Sequence, residues 1–461
     1  MKLTLDFETR SEVDLRGTNA WVYAEDLSTE VICLAWKTPS RPADCWMNGA
    51  GSTRGNFFSG AIPASLEYWV ARTDCPIYAF NVAFEIAIWE NIMVKRHGWP
   101  AIDRSRWRDT QALANYLSLP PSLDKLCSVL GLEGKDPRGS RLISKYCKLH
   151  LKTAKYDIPE ADLLAFGEYC IQDVEQEEKA DELMGETLPD YELEHFQQDL
   201  AMNLVGLPLD VPSIRKALEV VEERQRTLAN AFKDRMGFSP TQHVKMKEWL
   251  SQRGFDLPDV QGSTIEKLIA DEDLPKDVLE VLALRSSYNK ASTKKLTSML
   301  RNVSADGRAR FQTRYHGANT GRNTGAGMQP LNFPRTYEEF DPEMIVHDIN
   351  YGSADYLDSV YGNAMEVVSK ALRHYIKAKE GHRFLVADFV SIEAVVLAVL
   401  AGEEWKIEAF RNKEPIYERT ADIVFGYAPG TVTKKTHPEE RQVGKVCELS
   451  LIHISEPTRP Y

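Results

Sequence analysis

Apolar and polar positions change rhythm several times along this chain of 461 residues. Up to about residue 185, short apolar runs alternate with helical periodicity. Leu3–Phe7, Val31–Trp36 and Ile77–Phe80 read as strands. Ala83–Lys95, Trp107–Leu117, Ser122–Leu130 and Glu160–Leu183 repeat their apolar residues at helical spacing. Such alternation predicts an α/β unit, a mixed sheet with helices packed on it. From about Tyr191 to Leu300 the rhythm is almost wholly helical, over Glu192–Val205, Ser213–Met236, Val244–Arg253, Thr264–Ala270 and Lys276–Met299. Gly206-Leu-Pro208 and Ser239-Pro240 punctuate this stretch. A Gly/Asn loop, Gly317–Gly327, comes next, then a loose acidic segment to about Tyr361. A helix at Asn363–Ala378, a strand at Arg383–Ala387 and helices at Ile392–Leu400 and Pro415–Phe425 complete the pattern.

Composition narrows the class. Hydrophobic residues make up 43% and charged residues 27%, as in a water-soluble globular protein. A chain this long predicts two or three domains. It opens directly on strand-like sequence, so no signal peptide is expected. The longest apolar run, Ala394 to Ala401, is too short to span a bilayer, so no membrane partner is expected. None of the seven cysteines forms a C-x-x-C pair. They read as reduced thiols in a cytoplasmic protein.

The net charge of −12 disfavours nucleic acid as a partner only on average. Arg285, Lys290, Lys294, Lys295, Arg301, Arg308, Arg310, Arg314, Arg322 and Arg335 stand within one stretch, and Asp306 alone opposes them. This basic island runs into the Gly/Asn loop, which favours a nucleic-acid surface over a solvated helix face.

Three acidic motifs carry chemistry. Asp6 and Glu8 end the first strand and point to one face, because side chains alternate along a strand. Asn81-Val-Ala-Phe84-Glu85 spans a strand end and a helix start. Tyr169 and Asp173 are four apart, hence on one helix face. Clustered carboxylates repel each other unless a cation sits between them, and two-metal phosphodiester hydrolysis needs such a cage. Asp6, Glu8, Glu85 and Asp173 are the candidate ligands, and Tyr169 is the candidate to orient an attacking water.

In order and spacing these motifs resemble those of the DEDDy 3′–5′ exonucleases, the proofreading domains of DNA polymerases. The resemblance covers residues 1 to about 185 and implies an RNase H-like fold. Glu85 stands where the family usually has Asp, one methylene shorter, so metal spacing and rate are open to change.

A second set of motifs follows. His316-Gly-Ala-Asn-Thr320-Gly321-Arg322 and Gln329-Pro-Leu-Asn332-Phe-Pro334-Arg335 join a Gly-rich backbone to side chains that reach phosphates and minor-groove acceptors. This pair resembles a segment of family A (polymerase-I-like) DNA polymerases, especially phage-type members. Arg322, Gln329, Asn332 and Arg335 are the DNA-binding residues it implies. Phe384-Leu-Val-Ala-Asp388-Phe-Val-Ser391-Ile392-Glu393 resembles motif A of that family. It implies that Asp388 binds the catalytic metals and that Glu393 closes the pocket over the sugar. Ser391 replaces the family's Gln, and Val395 its Arg. Arg441-Gln-Val-Gly-Lys445 resembles the start of motif B, which makes Arg441 and Lys445 the candidates to hold a triphosphate.

These resemblances imply an exonuclease domain over 1–185, a helical thumb-like region over 191–308 and a partial palm with the start of the fingers over 309–448. They imply Mg²⁺ as cofactor, with Mn²⁺ also fitting the carboxylates, and primer–template DNA and deoxynucleoside triphosphates as partners. No 5′-nuclease domain is expected ahead of Asp6. The tail 449–461 reads like a translated sequencing adapter, with His453 where the family has a nucleotide-stacking Tyr. On that reading motif C is missing, and the chain is expected to keep exonuclease chemistry and lack primer extension. The competing classes are a stand-alone DEDD exonuclease, disfavoured by Arg322 and Asp388, and a non-catalytic nucleic-acid-binding protein, disfavoured by Asp6, Glu8 and Asp173.

Overall fold

The computed structural model describes residues 2–39, 41–49, 55–134, 136–270, 274–288, 292–337 and 340–454. Two compact units divide the chain, Met1–Lys379 and Glu380–Tyr461.

The first unit is built on a six-stranded mixed sheet. Its strands are β1 (Leu3–Arg10), β2 (Glu30–Lys37), β3 (Asp44–Met47), β4 (Phe57–Phe58), β5 (Ile77–Ala79) and β6 (Trp107–Asp109), in the order β4-β3-β2-β1-β5-β6. β1 pairs antiparallel with β2 along its length and parallel with β5 at Leu3 and Thr4, which places it inside the sheet. Its odd positions Leu5 and Phe7 enter a core with Trp36, Trp46, Trp89 and Trp99. Its even positions Asp6 and Glu8 lie opposite Ala35 and Cys33 on the other face. That face is covered by the long helix Glu160–Met184, whose Phe166, Cys170 and Val174 pack on Ile32, Cys33, Ala35 and Cys45. Gly167 permits the approach: a Cβ there would stand 2.5 Å from the Phe57 ring.

Three strands escaped the periodicity. All four residues of β3 are buried, so it shows no alternation. β4 is only two residues long. β6 occupies the first three residues of the helix expected over Trp107–Leu117, and Asp109 then caps the helix Thr110–Tyr116 through the amide of Gln111. The Ala83–Lys95 pattern is helical throughout but contains a π-helical stretch, Trp89–Val94.

The helix Asp190–Val205 joins the same core through Phe196, Leu200 and Leu204. Beyond it, Val211–Met236 gathers Ser292–Asn302, Pro342–Tyr351 and Ala364–Lys370 around Ile214, Val221, Leu296, Met299, Ile345 and Val368. The loose segment expected up to Tyr361 is instead two helices, Pro342–Tyr351 and Ala354–Tyr361, each started by a side-chain cap, Asp341 and Ser353. The helix expected over Lys276–Met299 is described as Lys276–Tyr288 and Ser292–Asn302, and Lys290 lies outside the described residues.

The basic island is not uniformly on the surface. Arg285 is 2% exposed and serves as an internal tie. Its guanidinium donates to the carbonyls of Val260 (2.8 Å) and Pro240 (3.3 Å) and meets His243 Nδ1 at 3.0 Å. Arg310 is also buried, paired with Asp306, bonded to the Leu204 carbonyl and placed over the Trp21 ring. Main-chain carbonyls took up cations that composition alone assigns to a ligand.

The second unit contains the helices Ile392–Ala401, Glu404–Arg411, Ile416–Phe425 and Pro438–Ile454. The strand expected over Arg383–Ala387 does not form: residues 382–389 have no regular structure and are exposed. A strand is held by hydrogen bonds to a neighbour, and among the described residues of this unit there is no strand to supply them. The side chains of 449–454, and all of 455–461, including the tail reading and His453, lie outside the described residues.

Replacing Arg285 with Met would leave two carbonyls and a histidine without their shared donor. The expected loss is about 2–4 kcal/mol of stability. Urea unfolding of Arg285→Met against the unchanged chain measures it, and a midpoint that does not move contradicts the role assigned here.

A candidate metal centre on the central strand

The central strand supplies two carboxylates and the helix across from it a third. Oxygens of Asp6, Glu8 and Asp173 all lie within 4.8 Å of one another. β1 sets the first two two residues apart on one face, and packing of Glu160–Met184 brings Asp173 over them. Asp6 and Glu8 are half-buried, and Asp173 is 4% exposed. Beneath them lies Cys170, whose thiol is 3.3 Å from the Asp6 carbonyl and 3.4 Å from its Oδ2.

Glu85 stands outside that group of three but near enough to Asp6 to feel its charge, and it comes from a different element. Asn81 takes a left-handed conformation (φ 73°) and starts the helix Val82–Ile88, which carries Glu85 inward. Glu85 is 2% exposed, and its Oε2 has no hydrogen-bond partner among the described residues. Burial, and next the nearby charge of Asp6, push its carboxyl well above the usual carboxylate range. A buried acceptor facing a cluster of acids fits a cation site, because a divalent ion would satisfy the oxygen and offset the repulsion at once. The hard oxygen donors suit Mg²⁺ or Mn²⁺.

Periodicity did not single out four residues around this centre. Asp109 accepts the amides of Asn81 (2.9 Å) and Val82 (3.2 Å) and so holds the turn that aims Glu85. Burial raises the Asp109 carboxyl to about 6. Thr110 donates to Glu177 at 2.6 Å, and Glu177, 2% exposed, is pushed well above its usual range by burial. The Asp109-Thr110 pair has the form of a strand end followed by a helix cap, a signal hidden inside the helix expected there. Gly139, on the short helix Pro137–Leu142, is the fourth. A Cβ there would stand 2.3 Å from the ring of Tyr169, which is itself 4% exposed. Only a residue without a side chain lets the ring lie where it does, one helical turn from Asp173.

The other sequence candidates fall elsewhere. In the first unit, Arg322, Asn332 and Arg335 are exposed and Gln329 is half-buried. They belong to a segment shaped by the pairing of Thr313–Arg314 with Thr324–Gly325. Gln329 has φ 59° and accepts the Asn332 amide at 3.1 Å. In the second unit, Asp388 lies on the exposed irregular stretch, and Glu393 is in the first turn of Ile392–Ala401. No metal-suited group of three forms around Asp388 among the described residues. Arg441 and Lys445 share the helix Pro438–Ile454, and Arg441 is paired with Glu418 at 2.6 Å.

Comparison with known proteins adds to this geometry. The sequence pattern of DNA polymerase family A matches residues 223–457. A DNA polymerase of Bacillus phage SP02 is 30% identical over 464 residues, covering 97% of this chain and 68% of that protein. DNA polymerase I of Aquifex aeolicus is 24% identical over 267 residues, covering 56% of this chain and 38% of its own length. Among solved structures, the POL domain of Pol1 from M. smegmatis, in complex with DNA primer-template and dNTP, aligns with a TM-score of 0.55 at 16% identity. It covers 98% of this chain and 67% of that one, and the likeness is one of fold.

Two outcomes test the centre without reference to activity. Mg²⁺ or Mn²⁺ at a hundredfold excess over its dissociation constant should stabilise the folded chain by about 2.7 kcal/mol. Asp6→Ala should abolish that gain in a thermal melt, and an equal gain in the variant would count against the site. Gly139→Ala should cost roughly 1–3 kcal/mol through overpacking. Most of that loss should vanish in a Tyr169→Ala background, as measured by urea unfolding of both singles and the double.

Proposed function

Because the chain belongs to DNA polymerase family A, we propose that its carboxylate centre is a 3′–5′ exonuclease site serving a DNA polymerase of phage type. The observation that carries the reading is the convergence of Asp6, Glu8 and Asp173 within 4.8 Å, with buried Glu85 facing Asp6. The substrate is the 3′ end of a DNA strand. Water adds to the terminal phosphorus, the bond from phosphorus to the preceding 3′ oxygen breaks, and that oxygen takes a proton. The product is a nucleoside 5′-monophosphate and a strand one residue shorter.

Asp6, Glu8, Glu85 and Asp173 are the groups that would hold divalent ions here. When bound, such ions supply an activated water and neutralise the charge on the leaving oxygen. The chain's own residues do the positioning. The Tyr169 hydroxyl orients the attacking water, and the ring is kept in place by its contact with Gly139. Asp109 fixes the Asn81 turn, which sets the depth of Glu85. The longer Glu85 side chain reaches the centre from a helix start where the family's shorter Asp would stand, and it changes the rate more than the reaction class.

Asp388, Glu393, Arg441 and Lys445 belong on this reading to a nucleotidyl-transfer site, with Arg322, Gln329, Asn332 and Arg335 on the DNA. Two-metal transfer needs more than one carboxylate. A further carboxylate would have to join Asp388 for primer extension, and we assign hydrolysis to the centre on the first strand.

A 5′-labelled primer on a longer template, with Mg²⁺ and with or without deoxynucleotides, decides the matter. Shortening is expected in both conditions. Asp6→Ala should slow it by roughly a thousandfold, equivalent to about 4 kcal/mol of barrier. Tyr169→Phe should slow it by about ten- to a hundredfold. Hydrolysis that survives Asp6→Ala at full rate removes the exonuclease reading, and lengthening with nucleotides would place a working nucleotidyl-transfer site in the same chain.

A further inference from the structure

The repulsion that marks the carboxylate centre has a counterpart of opposite sign in the same unit. A groove of about 440 Å³ is lined by Arg16, Thr18, Lys294, Thr297, Ser298 and Arg301, with backbone from Gly17 and Gly327. On the helix Ser292–Asn302, Lys294, Thr297, Ser298 and Arg301 stand at i, i+3, i+4 and i+7, which places them on one face. The opposite face, Leu296 and Met299, is fully buried against Val211–Met236. The neighbouring Lys295 is turned away from the groove, toward the Met328 carbonyl and the Phe333 ring.

Arg16 reaches the groove from a different part of the fold, the turn after β1. Asp14 shapes that turn by accepting the Arg16 amide through its side chain and the Gly17 amide through its carbonyl. The turn is then fastened to the helix end: Thr18 donates to the Arg301 carbonyl at 2.6 Å, and Asn19 to the Asn302 carbonyl at 2.7 Å. Arg301 Nη1 lies beside Gly17, 3.8 Å from where a Cβ on it would be. Arg16, Lys294 and Arg301 are all exposed, and among the described residues no carboxylate pairs with any of them.

In a chain carrying 68 acidic side chains against 56 basic ones, three cations brought together from two elements, with no acid lining the groove between them, are an arrangement that calls for an anion. Hydroxyls and glycine backbone between them allow close approach of phosphate oxygens. We infer that this groove binds the phosphodiester backbone of a DNA strand, so that the turn after β1 helps to grip the same nucleic acid as the helix Ser292–Asn302. The groove reads no base, since its donors face phosphates. This inference rests on the reading of the chain as a DNA-handling enzyme.

The test is fluorescence anisotropy of labelled single-stranded DNA and of a labelled primer–template, in EDTA to stop hydrolysis, across a series of KCl concentrations. The variants are Arg16→Gln alone and Arg16→Gln/Lys294→Gln/Arg301→Gln together, with Lys216→Gln, which removes an exposed cation paired with Glu219 elsewhere, as a control. The triple variant should lower the slope of log affinity against log salt by roughly two to three, and Arg16→Gln by about one, whatever the sequence. At moderate salt the triple variant should bind roughly tenfold more weakly, and Lys216→Gln should match the unchanged chain. A loss confined to one of the two DNAs identifies which strand form the groove follows. If the unchanged chain binds DNA and the triple variant binds it with the same affinity and slope, the groove is a solvated face and the inference fails alone. If the unchanged chain binds neither DNA, the proposed function fails with it.

Discussion

The arrangement that the first unit depends on is a repulsion that the fold must hold in check. Asp6, Glu8 and Asp173 would separate if the chain were free to move, and Glu85 would leave the interior for water. What prevents it is the packing of Glu160–Met184 on the sheet, through Phe166, Cys170 and Val174 on one side and Ile32, Cys33 and Ala35 on the other. β1 is paired with β2 from Thr4 to Arg10, so its two acids cannot be relieved by a one-residue shift of register without turning Leu5 and Phe7 out of the core. Stability and reactivity are therefore set against each other at one place. The apolar contacts keep the acids together against their own repulsion.

The glycines and caps around this centre serve that same end. Gly167 lets the helix come down onto Phe57, and Gly139 lets the Tyr169 ring come close against a second helix. Asp109 holds a left-handed turn at Asn81 by taking two amides that no neighbouring strand could satisfy. Each is a small local feature whose effect is felt several residues away, at a carboxylate or a hydroxyl.

Much of this was legible in the sequence. The period of two in Leu3–Phe7 gave both the central strand and the common face of Asp6 and Glu8. The helix Glu160–Met184 was expected within one residue at its C-terminal end, because its cap, Gly185, and its apolar stripe agree. What failed did so for physical reasons. β3 is buried on all sides and has no alternation to read. Arg285 and Arg310 look like ligand-binding cations in a list of charges, but only the folded chain shows the carbonyls they serve. The run Arg383–Ala387 has strand composition, yet a strand is a property of two segments and not of one. The roles proposed for Asp388 and Glu393 rest on family resemblance, and periodicity could not have suggested them.

That run has a further consequence for handling the protein. Leu385, Val386, Phe389 and Val390 are 79–92% exposed, in extended irregular chain just after the boundary between the two units. Accessible backbone without regular structure is the first to enter a protease cleft, and Phe and Leu are the side chains that chymotrypsin-like enzymes prefer. A brief digestion would therefore nick the chain near Phe384–Phe389 before it touched the sheet, and release the carboxylate centre as a fragment still joined to its own core.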